Sequence, residues 1–216
     1  MMNLNLLKKT ALCLALPLSM SVATFAQGFE GTIEFKQFTA KDTTLNLYYV
    51  KGNKVKLDQL GKTSHKAEGS FLFDLSANKI IGVNHSRKVY DDVPVSKNPA
   101  ANKIDTVIKL KDTKTIQGIK CQGFIVKSKG DNAQITFWLA PGNYQFFESV
   151  VTLWNRKDKA SVYFRAIKDT KGMLPMLSVE ADLSGKEQGK LEVIKIEKKA
   201  IDAATLEIPK DYKQFK

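Results

Sequence analysis

The side chains able to do chemistry in this chain are few and scattered. There are two histidines, His65 and His85, and two cysteines, Cys13 and Cys121. A metal centre needs His, Cys or carboxylate groups clustered at ligand spacing. The histidines stand twenty positions apart, each in a polar stretch with no cysteine beside it, and read as solvated loop residues. A serine nucleophile on a strand-to-helix elbow needs Gly-x-Ser-x-Gly, which does not occur here. Gly61-Lys62-Thr63 matches the end of a phosphate-binding loop. That loop needs glycine at position 56, which is Lys56, and a strand running directly into a helix. Asn84-His85-Ser86 fits the glycosylation pattern only by coincidence, given the bacterial type of export signal described below. No catalytic residue, metal ligand or cofactor is assigned, and the chain is read as a non-enzyme.

What remains is an apolar constellation. Tyr144, Phe147, Val151 and Trp154 recur at helical spacing, with Phe146, Val150 and Leu153 widening the stripe. Ala160, Tyr163, Phe164 and Ile167 repeat the i, i+3, i+4, i+7 pattern, and Met173 and Met176 follow closely. Such side chains either fill the hollow of a sheet as plain core or line a cleft that opens for an apolar guest. Both readings put the same residues inside. The candidate ligand-binding set is Tyr144, Phe147, Val151, Trp154, Tyr163, Phe164, Met173 and Met176. Thioethers adapt to irregular apolar space. Apolar area buried at ~25 cal/mol per Å² supports affinity without any charge contact.

The charge balance offers the alternative. Lysine and arginine number 34 against 22 acids, a formal charge of +12. Only three of the basic residues are arginine: Arg87, Arg156 and Arg165. That shortage argues against bidentate phosphate recognition. An exported basic protein rarely meets nucleic acid. Its lysines would either keep it soluble or contact anionic glycan or lipid headgroups, as an envelope structural or adaptor protein would.

The elements that position these residues are mostly strands. Ile33 and Phe35 alternate with Glu34 and Lys36, the period of a half-buried strand. Leu45, Leu47 and Tyr49 alternate with Thr44, Asn46 and Tyr48. Lys51-Gly52-Asn53 then turns, and Val55 and Leu57 point inward on the return. Further strands are expected over 70–75, 79–83, 87–90, 106–110, 118–128, 133–140, 173–181 and 190–198, with surface loop over 61–69 and 91–103. Between them fall a helix of about three turns, N-capped by Asn143, and a shorter helix ended by Gly172. Strands so closely connected pair antiparallel, and a sheet that long curls. The expected fold is α+β: a long curled antiparallel sheet, an open half-barrel of about ten strands, with two helices on its concave face.

Residues 1–26 form a three-part export signal. Lys8-Lys9 opens it, an apolar run from Ala11 to Val22 follows, and Ala23-Thr24-Phe25-Ala26 closes it. The run is shorter than the ~20 residues of a spanning helix. Residues 27–216 then make one domain with no transmembrane span. It is destined for the periplasm, with outer-membrane association or secretion left open. Its only cysteine, Cys121, sits in a strand-like stretch and reads as packed and inert. No internal disulfide is available to the mature chain.

Several short stretches together resemble a known exported family, the domain of unknown function numbered 4412. They are Phe29-Glu30-Gly31-Thr32-Ile33, Tyr48-Tyr49-Val50-Lys51-Gly52-Asn53-Lys54-Val55, Thr115-Ile116-Gln117-Gly118-Ile119-Lys120-Cys121, Gly172-Met173-Leu174-Pro175-Met176 and Ile208-Pro209-Lys210-Asp211-Tyr212. More remotely, the chain resembles the periplasmic carriers of outer-membrane lipoproteins. The resemblance implies an open antiparallel barrel, helices over its concave face and shelter there for acyl chains. It carries no functional residue onto this sequence.

Overall fold

The computed structural model describes residues 28–40, 42–95 and 103–215. The expected export signal, with Cys13, and the central part of the expected 91–103 loop lie outside them. Six strands come first: β1 (Gly31–Thr39), β2 (Thr43–Lys51), β3 (Lys54–Leu60), β4 (Ala67–Asp74), β5 (Lys79–Asn84) and β6 (Val89–Asp92). Then come β7 (Thr106–Ile116), β8 (Ile119–Ser128) and β9 (Ala133–Ala140). Helices α1 (Gln145–Trp154) and α2 (Lys159–Ala166) follow. The chain closes with β10 (Leu174–Asp182), β11 (Glu187–Lys198), a 3-10 turn (Ala203–Leu206) and β12 (Lys213–Gln214).

All twelve strands belong to one open sheet in the order β12-β6-β5-β4-β3-β2-β1-β11-β10-β9-β8-β7. It is two meanders joined where β1 pairs antiparallel with β11. The joint is tight. Gly31 takes φ +148°, and a Cβ there would lie 2.0 Å from the Glu197 carbonyl oxygen. The expectation of wholly antiparallel pairing fails at one edge, where the two-residue β12 pairs parallel with β6. The chain end returns there after crossing the sheet, so no hairpin dictates its direction.

The sheet curls around its helices. Trp154 of α1 touches Phe71 and Phe73 of β4, with ring centroids 4.6 and 5.2 Å apart. Phe164 of α2 meets Phe137 of β9 at 6.1 Å and Phe147 of α1 at 5.1 Å. β4 and β9 are six strand spacings apart, ~29 Å in a flat sheet. A ten-residue helix is only ~15 Å long. One helix pair reaches both strands because the sheet bends around it.

The helix boundaries depart from expectation at two points. Asn143 does not cap α1. Tyr144 holds the N-cap position without a side-chain cap bond. The Asn143 carbonyl instead accepts from the Phe29 N–H at 2.8 Å, and the Tyr144 N–H donates to the Gly172 carbonyl at 3.3 Å. Backbone pairing with the neighbouring segments sets where this helix starts. Helix α2 ends at Ala166, because Ile167 returns to extended backbone. Gly172 serves a different need: its φ is +76°, and a Cβ would lie 2.5 Å from the Gly142 carbonyl oxygen. The start of α2 is conventional, with the Asp158 side chain accepting from the Ser161 N–H.

Candidate functional site

The hollow between helices and sheet is not filled. A cavity of about 190 Å³ remains, open on one side. Its floor comes from alternate residues of the central strands: Ile33 and Phe35 of β1, Tyr48 of β2, Leu57 of β3, and Leu191 and Val193 of β11. Period two puts these on the face that the helices cover. Phe147, Val150, Val151 and Trp154 supply the roof from one stripe of α1, and Phe164 adds to it from α2. The lining is polar in one region. Asn46 of β2 lies directly opposite Phe35 on one side and Gln59 of β3 on the other, and Gln37 follows on β1. Arg156, Asp158 and Ser161, from the α1–α2 link and the first turn of α2, complete this rim. The result is an amphipathic cleft with an apolar floor and a polar edge.

The structure brings four of the eight expected lining residues together. Phe147, Val151, Trp154 and Phe164 face the cavity. The other four lie elsewhere in the core. Tyr144 is buried against Phe29, ring centroids 5.2 Å apart. Tyr163 is fully buried, and its hydroxyl donates to Asp131 Oδ2 at 2.8 Å. Burial, with that bond to a carboxylate, pushes its pKa up to about 12. Met173 packs half-buried against the apolar cluster of β8, β9 and the two helices. Met176 has no exposed surface and sits at a register shift of β10 against β9, outside the cavity lining. The helical stripe pointed to the roof. The strand floor and the polar rim went unnamed, although Gln37, Asn46 and Gln59 interrupt otherwise apolar strand faces.

The opposite face of the sheet holds a second cluster. Ser70 of β4 donates through Oγ to Asp58 Oδ1 of β3 at 2.5 Å. Lys56 Nζ lies 3.2 Å from the same carboxylate oxygen. Since the serine proton goes to Asp58, Ser70 Oγ accepts from His85 Nε2 at 2.6 Å. His85 Nδ1 then accepts the Tyr212 hydroxyl proton at 2.9 Å. The hydrogen-bond order thus assigns the neutral Nε2–H tautomer. Burial, then the nearby Lys56 charge, lowers the His85 pKa below its ordinary value. The expectation of two solvated loop histidines therefore holds for exposed His65 and fails for half-buried His85. Ser, His and Asp do meet here, but the serine stands between the other two. A hydrolytic triad needs histidine in the middle, accepting the serine proton, and here His85 donates to Ser70 instead, so the order is not that of the triad.

Cys121 has no exposed surface, its Sγ lies 3.3 Å from the Ile119 carbonyl oxygen, and burial raises its thiol pKa. Among the described residues, no group of three or more His, Cys, Asp or Glu side chains is placed to hold a metal ion. No described helix is long and apolar enough to cross a membrane.

Among solved structures, an uncharacterised conserved protein from Thermus thermophilus shares the fold. The TM-score is 0.55 at 12% identity, over 88% of this chain and 91% of that one. The Pseudomonas aeruginosa MucA/MucB complex matches with a TM-score of 0.48 at 14% identity, over 86% of this chain and 56% of the other. A putative outer membrane lipoprotein-sorting protein domain from Vibrio parahaemolyticus matches with a TM-score of 0.34 at 9% identity, over 82% and 87%. No curated protein matches. A family model, the domain of unknown function DUF4412, covers residues 29–212, and the chain belongs to that family.

Proposed function

We propose that this chain is a non-enzymatic protein of the bacterial envelope that binds an apolar ligand, such as one acyl chain, between its helices and its sheet. The observation that carries the reading is the cavity of about 190 Å³, floored by Ile33, Phe35, Leu57 and Val193 and roofed by Phe147, Val151, Trp154 and Phe164. Protein interiors normally close such voids, because unfilled space forfeits contact energy. The volume is below the ~300–1,000 Å³ of most small-molecule sites. It suits a single chain, with the helices moving outward for a longer one. The amino-terminal export signal supports a periplasmic location, where acyl chains need shelter from water.

The lysine-rich alternative has less behind it. Many lysines already have acidic neighbours, including Lys56 with Asp58, Lys88 with Asp211, and Lys195 and Lys199 with Glu197. Interleaved charges of this kind solvate a surface more readily than they attract a polyanion. Native mass spectrometry of protein exported with its signal tests the proposal. A co-purifying lipid, or stoichiometric uptake of a fluorescent fatty acid, is the expected result. Failure of both would overturn it.

A further inference from the structure

The rim of the cleft holds a cation that an entirely apolar ligand would leave unused. Arginine is scarce in this chain, yet one of its three arginines, Arg156, sits in the α1–α2 link, and a second, Arg165 in the last turn of α2, reaches back to it. Arg156 lines the cleft, its guanidinium over the Trp154 ring with 4.7 Å between them. Stacking on an aromatic face fixes the plane of a guanidinium, which an ammonium on a flexible stem does not offer. The link itself is braced. Arg165 Nη1 donates to the Asn155 side-chain oxygen, and Arg165 Nη2 donates to the Arg156 carbonyl at 3.3 Å. Asn155 takes the left-handed conformation that turns the chain out of α1.

Asp158 is the one carboxylate among the described residues of the lining. It lies 3.3 Å from Arg156 Nε and also accepts from the Ser161 N–H and Oγ–H, both at 3.0 Å. It steers the guanidinium from the Nε side, and five donors are more than one carboxylate can accept. Besides Ser161, whose hydroxyl is taken by Asp158, the lining includes the neutral polar groups Gln37, Asn46, Gln59 and Ser178. Their amide and hydroxyl hydrogens suit the oxygens of an anion.

We infer that the cleft takes single-chain amphiphiles with an anionic head, a carboxylate or a phosphate, and that Arg156 receives the head while the tail lies against Phe35, Leu57 and Phe147. This rests on the apolar-ligand reading above and adds the chemistry of the head group. A cationic head would find Asp158 already held by Arg156 and Ser161, and so would gain no ion pair to offset the nearby guanidinium charge. A neutral one would forgo a charge-assisted hydrogen bond at the edge of a low-dielectric site.

Calorimetric titration with four twelve-carbon probes, each below its micelle concentration or, for the alcohol, its solubility limit, tests the inference. Dodecanoate and dodecyl phosphate represent the two anionic heads, dodecanol the neutral one and dodecyltrimethylammonium the cationic one. At least one anion should bind tenfold or more tighter than dodecanol, and whichever binds tighter identifies the head. The cation should bind more weakly than dodecanol, and 0.5 M salt should shrink the anion preference. Arg156→Gln should abolish the preference, and a retained cooperative urea transition establishes that the variant is folded. Arg156→Lys should restore part of the preference. Dodecanol binding as tightly as both anions, or an Arg156→Gln protein that still prefers them, would overturn the inference and leave the apolar cleft standing. If none of the four binds, the cleft reading itself fails.

Discussion

The two faces of the β3–β4 hairpin are buried by different means. Toward the helices, Leu57, Phe71 and Phe73 meet Trp154 and the cleft, and nearly every contact is apolar. On the outer face, Lys56, Asp58 and Ser70 meet His85 and Tyr212 through hydrogen bonds and an ion pair. One strand pair thus carries two covers: α1 on one side and the chain's last residues on the other. Apolar burial is non-directional and survives modest rearrangement. A buried hydrogen-bond chain does not, because each unmatched group costs its full desolvation. Rearrangement should therefore cost less on the helix side than on the tail side. That division suits a protein that admits a guest beneath its helices.

Substitutions should separate the two faces. The largest effect is expected at Phe164, only 2% exposed and wedged between Phe137 and Phe147. Phe164→Ala should lower the unfolding free energy by about 3–5 kcal/mol in urea titration. A loss below ~1 kcal/mol would mean that the helix cover contributes little to the fold. On the outer face, Asp58→Ala leaves Lys56 and Ser70 without their shared acceptor and should cost about 1.5–3 kcal/mol, with ligand affinity unchanged. Tyr212→Phe removes a single hydrogen bond and should cost about 0.5–1.5 kcal/mol. Its clearer signature is faster amide exchange at Lys213 and Phe215, whose N–H groups donate to the Lys88 and Tyr90 carbonyls. Unchanged exchange there would mean that Tyr212 does not anchor the chain end.

The smallest effect is that of pH. The folded state lowers the His85 pKa beneath its ordinary 6.5, so below pH 6.5 the unfolded chain binds this proton more readily. The stability His85 contributes is present above pH 6.5 and is lost as pH falls through its folded value. A His85→Gln protein should lack that component of the acid sensitivity. Identical urea midpoint shifts between about pH 7.5 and about pH 5 in both proteins would rule His85 out as its source.

The sequence was informative where structure is local. Alternation at Ile33/Phe35 and Val55/Leu57 marks strands whose inward faces are now buried, and the stripe through Phe147, Val151 and Trp154 marks α1. Non-local pairing left no such trace. Nothing near Gly31 announces that β1 will pair with β11, yet Gly31 lies opposite Lys198. Asn143 has the composition of a cap, but Phe29 takes its carbonyl from far along the chain. His85 looked solvated because Ser70, Asp58 and Tyr212 reach it only once β3, β4 and the tail are assembled. For the cleft, the stripe could not tell which aromatic residues fill the core and which border a void. Curl decides that, and it sends Tyr163 toward Asp131 and Phe164 toward the cavity.

The central claim is that the space under α1 admits an apolar guest. Trp154 reports on it directly, since the chain has two tryptophans and Trp138→Phe leaves Trp154 as the sole emitter. Titrating that protein with dodecanol should shift Trp154 emission to the blue and saturate at one equivalent, as water leaves the cleft. Emission that stays unchanged up to the solubility limit of dodecanol would contradict the account.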